Sequence, residues 1–166
     1  MKEKIELLKY TIDRYDTYIE STQTKSNLYL ALNTAIVGGI ITLLTTSGNT
    51  GISKAAIILL GLVALLSLMS IVLTLWAINP YLKNISGKSD SVLFFQEVAG
   101  MAYSDFHLKF LEVSKKNLFT DMTCQAYSLA TALKKKYRKL MYAGRMLIAE
   151  FILLFTCIIL FITKTI

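Results

Sequence analysis

Few side chains in this sequence have types and spacing that can do chemistry, and Glu150 is the most telling. It stands about ten residues into an apolar run, where an ionised carboxylate is costly and ordinarily faces protein or water. Arg145, five positions earlier, is about 140° away around a helix and is a poor partner. Two readings stay open. In one the carboxylate reaches water a turn below the headgroups; in the other it lines a subunit interface or a pore. Conventional catalytic sets are missing. His107 is the only histidine, and Cys124 and Cys157 stand apart, so no zinc site or nucleophile–base pair is in prospect. No acidic cluster suggests metal-dependent hydrolysis. The expectation is a protein that is not an enzyme and carries no metal or cofactor.

Lys134, Lys135, Lys136, Arg138 and Lys139 cover most sides of one helix. Such a cluster meets anionic lipid at a cytoplasmic flank, or some of its lysines bind an anionic ligand with Tyr137 or Tyr103 for stacking. Gln125 lies beside an apolar stripe and can hydrogen-bond inside a bundle or to a nucleobase. Gly87-Lys88-Ser89 has Leu82 where a phosphate loop needs its first glycine, so no P-loop is present. Asn84-Ile85-Ser86 matches a glycosylation acceptor, but the loop reads as cytoplasmic and would not meet that machinery.

The elements that position these residues are dominated by Ala55 to Asn79, a stretch without a charge. As a helix it is about 37 Å long, enough to cross a hydrocarbon core of about 30 Å with some tilt. Lys54 precedes it and Asn79-Pro80-Tyr81 closes it, with Trp76 and Tyr81 at belt positions. Two further apolar runs, Leu28–Leu44 and Met141–Ile162, complete three spans. Ile5, Leu8, Ile12, Tyr15 and Ile19 form an amphipathic stripe leading without a break into the first span. The spacing predicts one helix from about Lys2 to about Thr45. Short helices follow Pro80, one capped by Ser89, Asp90 or Ser91, the next capped by Ser104 and reaching about Asn117. Thr120 then caps a long helix along Met122, Ala126, Leu129, Leu133, Tyr137, Leu140, Gly144 and Leu147.

Small residues mark two spans: Ala31, Ala35, Gly38, Thr42 and Thr45 on the first, and Gly61, Ala64, Ser67, Ser70, Thr74 and Ala77 on the second. They serve close helix packing or, after assembly, a polar pore lining. The turn from Thr46 to Gly51 makes a hairpin of these spans.

Totals agree: the chain is 54% apolar, 17% charged, and its mean hydropathy is +0.53. The net charge of +7 is uneven. Residues 1–27 carry five basic and five acidic side chains, residues 80–145 eleven and five. Topology rather than nucleic acid explains that excess, placing the N-terminus and residues 80–145 in the cytoplasm and the C-terminus outside. Cys124 and Cys157, about 50 Å apart on one helix, are beyond disulfide reach and read as free thiols. The acidic first 27 residues read as retained rather than as a cleaved leader. The expected fold class is an all-α integral membrane protein with three transmembrane helices, the first and third extending into a cytoplasmic helical bundle. Its parts are a stalk helix (1–27), a transmembrane hairpin (28–79, spans about 28–45 and 55–79), a cytoplasmic segment (80–140) and a third transmembrane helix (141–163).

This plan resembles the membrane effector family of bacterial Pycsar anti-phage systems. The matching features are Tyr18-Ile19, Lys25 and Asn33, then Asn79-Pro80, Ser91-Val92-Leu93-Phe94-Phe95, Gln125 with Ala126-Tyr127-Ser128-Leu129, and Lys136-Tyr137 before the third span. The family usually has Asp-x-Lys-Ala around the first lysine; here it reads Gln23-Thr24-Lys25-Ser26. The resemblance implies a multi-pass inner-membrane protein sensing a cyclic pyrimidine mononucleotide, cCMP or cUMP, which rearranges or homo-oligomerises and impairs membrane integrity, causing abortive infection. It implies Lys25, Tyr103, Gln125, Lys136 and Tyr137 as ligand-binding residues, and Asn33 with Glu150 at the pore or subunit interface. Other classes remain: a non-enzymatic membrane scaffold whose bundle docks a protein partner, or a small oligomeric transporter using Glu150.

Overall fold

The computed structural model describes residues 2–46, 54–79 and 91–165. They form α1 (Lys2–Thr46), α2 (Lys54–Ile78), α3 (Phe95–Gly100), α4 (Tyr103–Glu112) and α5 (Lys115–Thr165), with no strand among the described residues. The fold is all-α, and α1, α2 and α5 are long and apolar enough to cross a membrane. The expected turn after Thr46 and the loop from Pro80 to Asp90 lie outside the described residues, as do Tyr81 and the candidate caps Ser89 and Asp90.

Helix boundaries after residue 90 differ from those expected. Ser91 does hold a turn, its Oγ accepting the N–H groups of Leu93 at 3.2 Å and Phe94 at 2.9 Å. The helix itself starts only at Phe95. Helix α4 begins at Tyr103, because the carbonyl of Ala102 takes the first amides, those of Asp105 and Phe106. Ser104 is inside it and is not its cap. Val113 is extended, so α4 stops at Glu112 rather than reaching Asn117. Ser114 then opens α5, its Oγ accepting the Asn117 N–H at 3.1 Å and its carbonyl the Leu118 N–H at 2.9 Å. Thr120 spends its hydroxyl on the Lys116 carbonyl within the helix.

The chain divides into two compact units. The first holds residues 1–20 and 80–135, the second 21–79 and 136–166. In the first unit, Val92, Phe94, Met122, Ala126, Leu129 and Leu133 are buried. The α1 stripe Ile5, Leu8, Ile12, Tyr15 and Ile19 is its half-buried face. Asp121 anchors the segment before α3: it accepts from Ser91 Oγ at 2.6 Å, Val92 N at 3.0 Å and Leu93 N at 3.2 Å. Glu97 accepts the Ser91 N–H at 2.8 Å.

In the second unit, Ile40, Ala56, Leu60, Val63 and Cys157 cluster between α1, α2 and α5. Lipid tails are as apolar as these side chains, so their burial gains little from the hydrophobic effect, and packing with buried hydrogen bonds must hold the helices. Cys124 and Cys157 are free thiols.

Candidate functional site

Burial on the long helices steps by three and four residues. On α2 it runs Ala56, Leu60, Val63, Ser67, Ser70, Thr74, Ala77. On α5 the buried positions Leu140, Ala143, Leu147, Glu150 and Cys157 keep the same register. Lys136 lies four residues before Leu140, on the same series, and is half-buried. This is the 3.5-residue repeat of packed helices. The stripe expected along α5 had Tyr137 and Gly144 on it. The observed face carries Lys136 and Ala143 instead; both series share Leu133, Leu140 and Leu147 and differ only in the position between them.

The centre of this seam in the second unit is polar. Asn33, Ser67, Ser70, Thr74 and Glu150 are each 0% exposed. Ser67 Oγ donates to Glu150 Oε2 at 3.0 Å. Asn33 Nδ2 donates to the Tyr29 carbonyl at 2.7 Å and to Ser70 Oγ at 3.1 Å, and Ser70 Oγ donates to the Ala143 carbonyl at 3.3 Å. Thr74 Oγ1 donates to the Ser70 carbonyl at 2.8 Å. Three helices are thus joined by side-chain hydrogen bonds within about one turn of α2. Asn33 and Glu150 sit inside the helix triplet of one chain. Their partners Ser67 and Ser70 are legible in the sequence only as members of a small-residue stripe. That stripe is split, with Ser67 to Ala77 inward and Gly61 exposed, while all five stripe residues of α1 are exposed.

At the middle of α1 and α5 charge meets aromatic rings. Lys139 Nζ is 5.0 Å from the Trp76 ring centroid and donates to the Trp76 carbonyl at 3.3 Å. Lys25 Nζ lies 5.7 Å from the Tyr137 ring centroid, a cation–π contact between α1 and α5. Lys136 is adjacent to Tyr137, and burial lowers its ammonium below the usual lysine range. It has no hydrogen-bond or ion-pair partner among the described residues. Lys25 and Tyr137 therefore meet in the second unit, with Lys136 the sequence neighbour of Tyr137.

The other two candidate ligand residues belong to the first unit and do not meet each other there. Tyr103 is 80% exposed and stacks on His107 with ring centroids 5.9 Å apart. Gln125 is half-buried, without a hydrogen-bond partner among the described residues. That unit also has a polar cleft of about 270 Å³ beside Lys109, Glu112, Asn117 and Asp121. Two carboxylates face one ammonium in it, an environment poorly suited to an anion. No group of three or more metal-ligating side chains occurs among the described residues.

The sequence profile described as the Pycsar effector protein domain matches residues 7–163. This chain belongs to the Pycsar effector family. A relative, Pycsar effector protein EcPycTM from Escherichia coli, is 29% identical over 149 residues, covering 82% of this chain and 78% of the relative. No solved structure gives a significant match. Pycsar effectors are membrane effectors of anti-phage defence, tied to cyclic pyrimidine signalling, and the three apolar helices agree with a membrane protein.

Proposed function

We propose that this Pycsar effector is a non-catalytic, multi-pass inner-membrane protein that senses a cyclic pyrimidine mononucleotide, cCMP or cUMP. On binding, it rearranges or homo-oligomerises and impairs membrane integrity, and the infected cell dies. The charge excess on residues 80–145 supports a cytoplasmic N-terminus and an external C-terminus. The observation that carries the reading is the family match over residues 7–163. Helices α1 and α5, each unbroken between a membrane-spanning part and a polar part, supply a mechanical route.

Lys25 and Lys136 bind the cyclic phosphate, and Tyr137 stacks on the base. Their positions on α1 and α5 let an anion bias the pairing of these helices. Such a ligand drives a change only through different affinity for the two states. Lys136 fits the role because an anion would offset the cost of its buried charge. That cost is present below the lowered folded value and is relieved as pH rises through it. Tyr103 and Gln125 are tested singly. In the effector's active state the polar residues Asn33 and Glu150 line the pore or subunit interface.

The test is thermal unfolding of the detergent-purified chain with cCMP, cUMP, cAMP and cGMP, followed by leakage of dye-loaded vesicles. A ligand of the native state raises stability by mass action. The expected result is a shift with one pyrimidine nucleotide and leakage with the same one. Lys136→Met should stabilise the ligand-free protein slightly and abolish the shift. No shift with any nucleotide up to about a millimolar, or leakage indifferent to nucleotide, would sink the reading.

A further inference from the structure

The hydrogen-bond count inside the second unit leaves two oxygens over. Every side-chain donor hydrogen of Asn33, Ser67, Ser70 and Thr74 has an acceptor. Glu150 Oε1 and Asn33 Oδ1 are buried acceptors without a donor among the described residues. The amide orientation of Asn33 is fixed, because its Nδ2 lies 2.7 Å from the Tyr29 carbonyl, which can only accept. The two oxygens hang from adjacent steps of the same ladder, Glu150 through Ser67 and Asn33 through Ser70.

Charge is also unbalanced here. On α1 the titratable groups turned toward α5 are Tyr29, whose phenol oxygen would lie 2.8 Å from a Cβ added at Gly144, and Lys25, which lies over Tyr137, about 20 Å along α5 from Glu150. The inward face of α2 carries no titratable group among the described residues. On α5, Arg145 is exposed and lies 5.9 Å from the Tyr142 ring centroid. Lys136 is about 21 Å along the helix from Glu150. Among the described residues no basic side chain neutralises the carboxylate, and a neutral donor would satisfy an oxygen without balancing the charge.

We propose that Glu150, held by Ser67, seats a single small cation at its unpartnered oxygen, a proton or a sodium-sized metal ion. A proton on Glu150 Oε1 supplies the missing donor and removes the charge. A metal ion supplies a positive centre to the carboxylate oxygen that has no donor. In both cases the occupant holds α1, α2 and α5 together, and its loss loosens them. This does not rest on nucleotide sensing, and its test uses no nucleotide.

The experiment is thermal unfolding of the full chain in detergent, from mildly acidic to mildly alkaline pH, in sodium chloride or choline chloride at equal ionic strength. Wild-type protein is expected to gain several degrees with falling pH or with sodium, and Glu150→Gln to lose that dependence. Dependence on pH alone assigns the proton, and stabilisation by sodium at constant pH assigns the metal ion. Should Glu150→Gln fail to fold, infrared spectra of the wild type decide. A carboxylic acid band persisting at neutral pH marks a proton, and a carboxylate band moved by exchanging choline for sodium marks a metal ion. Wild-type stability flat to both variables overturns the proposal, as does an undiminished dependence in Glu150→Gln.

Discussion

Asp121 and Glu150 are both carboxylates of α5, yet Asp121 accepts three hydrogen bonds and Glu150 one. Asp121 is half-buried and closes a short polar latch over residues 91–94. Glu150 is fully buried, meets one hydroxyl, and keeps a bare oxygen. The first arrangement is what a fold needs in order to hold a loop. The second exceeds what packing needs, since a hydrophobic side chain of similar volume would fill the space at no electrostatic cost. A fully satisfied carboxylate reads as structure, and an under-satisfied one as a place where something binds.

The sharpest way to break this comparison is to remove each carboxylate. Asp121→Ala leaves Ser91 Oγ and the amides of Val92 and Leu93 without their acceptor. A loss of about 3 kcal/mol is expected, read by denaturant unfolding and by faster hydrogen exchange at those two amides. Next comes packing at the seam, where Tyr29 already occupies the space beside Gly144. Gly144→Leu should cost about 1–3 kcal/mol. Gly38→Leu, with nothing within 4 Å of an added Cβ, should leave the unfolding of the single chain unchanged. Glu150→Leu removes a buried charge but leaves the Ser67 hydroxyl without its acceptor, so its net loss should stay under about 1 kcal/mol, well short of Asp121→Ala. Comparable losses for both would erase the distinction between the two carboxylates.

The smallest effect belongs to Asp16. Partial burial, and then the neighbouring charges of Asp13 and Glu20, raise its carboxyl above the usual aspartate range. A raised folded value means that protonation favours the fold. The contribution is therefore present below the unfolded value and lost as pH climbs through the folded one. At neutral pH the ionised group costs stability, so Asp16→Asn should raise the Tm there. The gain should fade in acid and stay under about 1 kcal/mol, because the side chain is exposed.

Much of the fold was legible. Uncharged length declared the spans, and three-and-four spacing declared α1 from Ile5 onward. The helix starts were less so, since Ser104, Ser114 and Thr120 are all plausible caps. Only the extended backbone at Val113 selects Ser114 over Thr120. The polar seam was half legible. Glu150 announces itself by its cost in lipid, whereas Ser67 and Ser70 look like any small residues until α2 is set against α1 and α5. A 3.5-residue repeat back from Leu140 falls midway between Lys136 and Tyr137, and the apolar pattern favoured the aromatic ring over the ammonium. Asp121 gave no sign, because its partners lie about thirty residues away in a segment without periodicity.

The position of Glu150 on the last long helix bears on how the protein is made. A nascent chain emerges N-terminus first, so α1 and α2 are in place before the carboxyl is synthesised. The Ser67 hydroxyl, on the preceding span, is ready when α5 arrives at the translocon. Entering lipid alone, a carboxyl at mid-span costs about 2.5–3.5 kcal/mol on insertion scales. Meeting α2 first, it would gain the Ser67 hydroxyl as a partner and escape part of that cost.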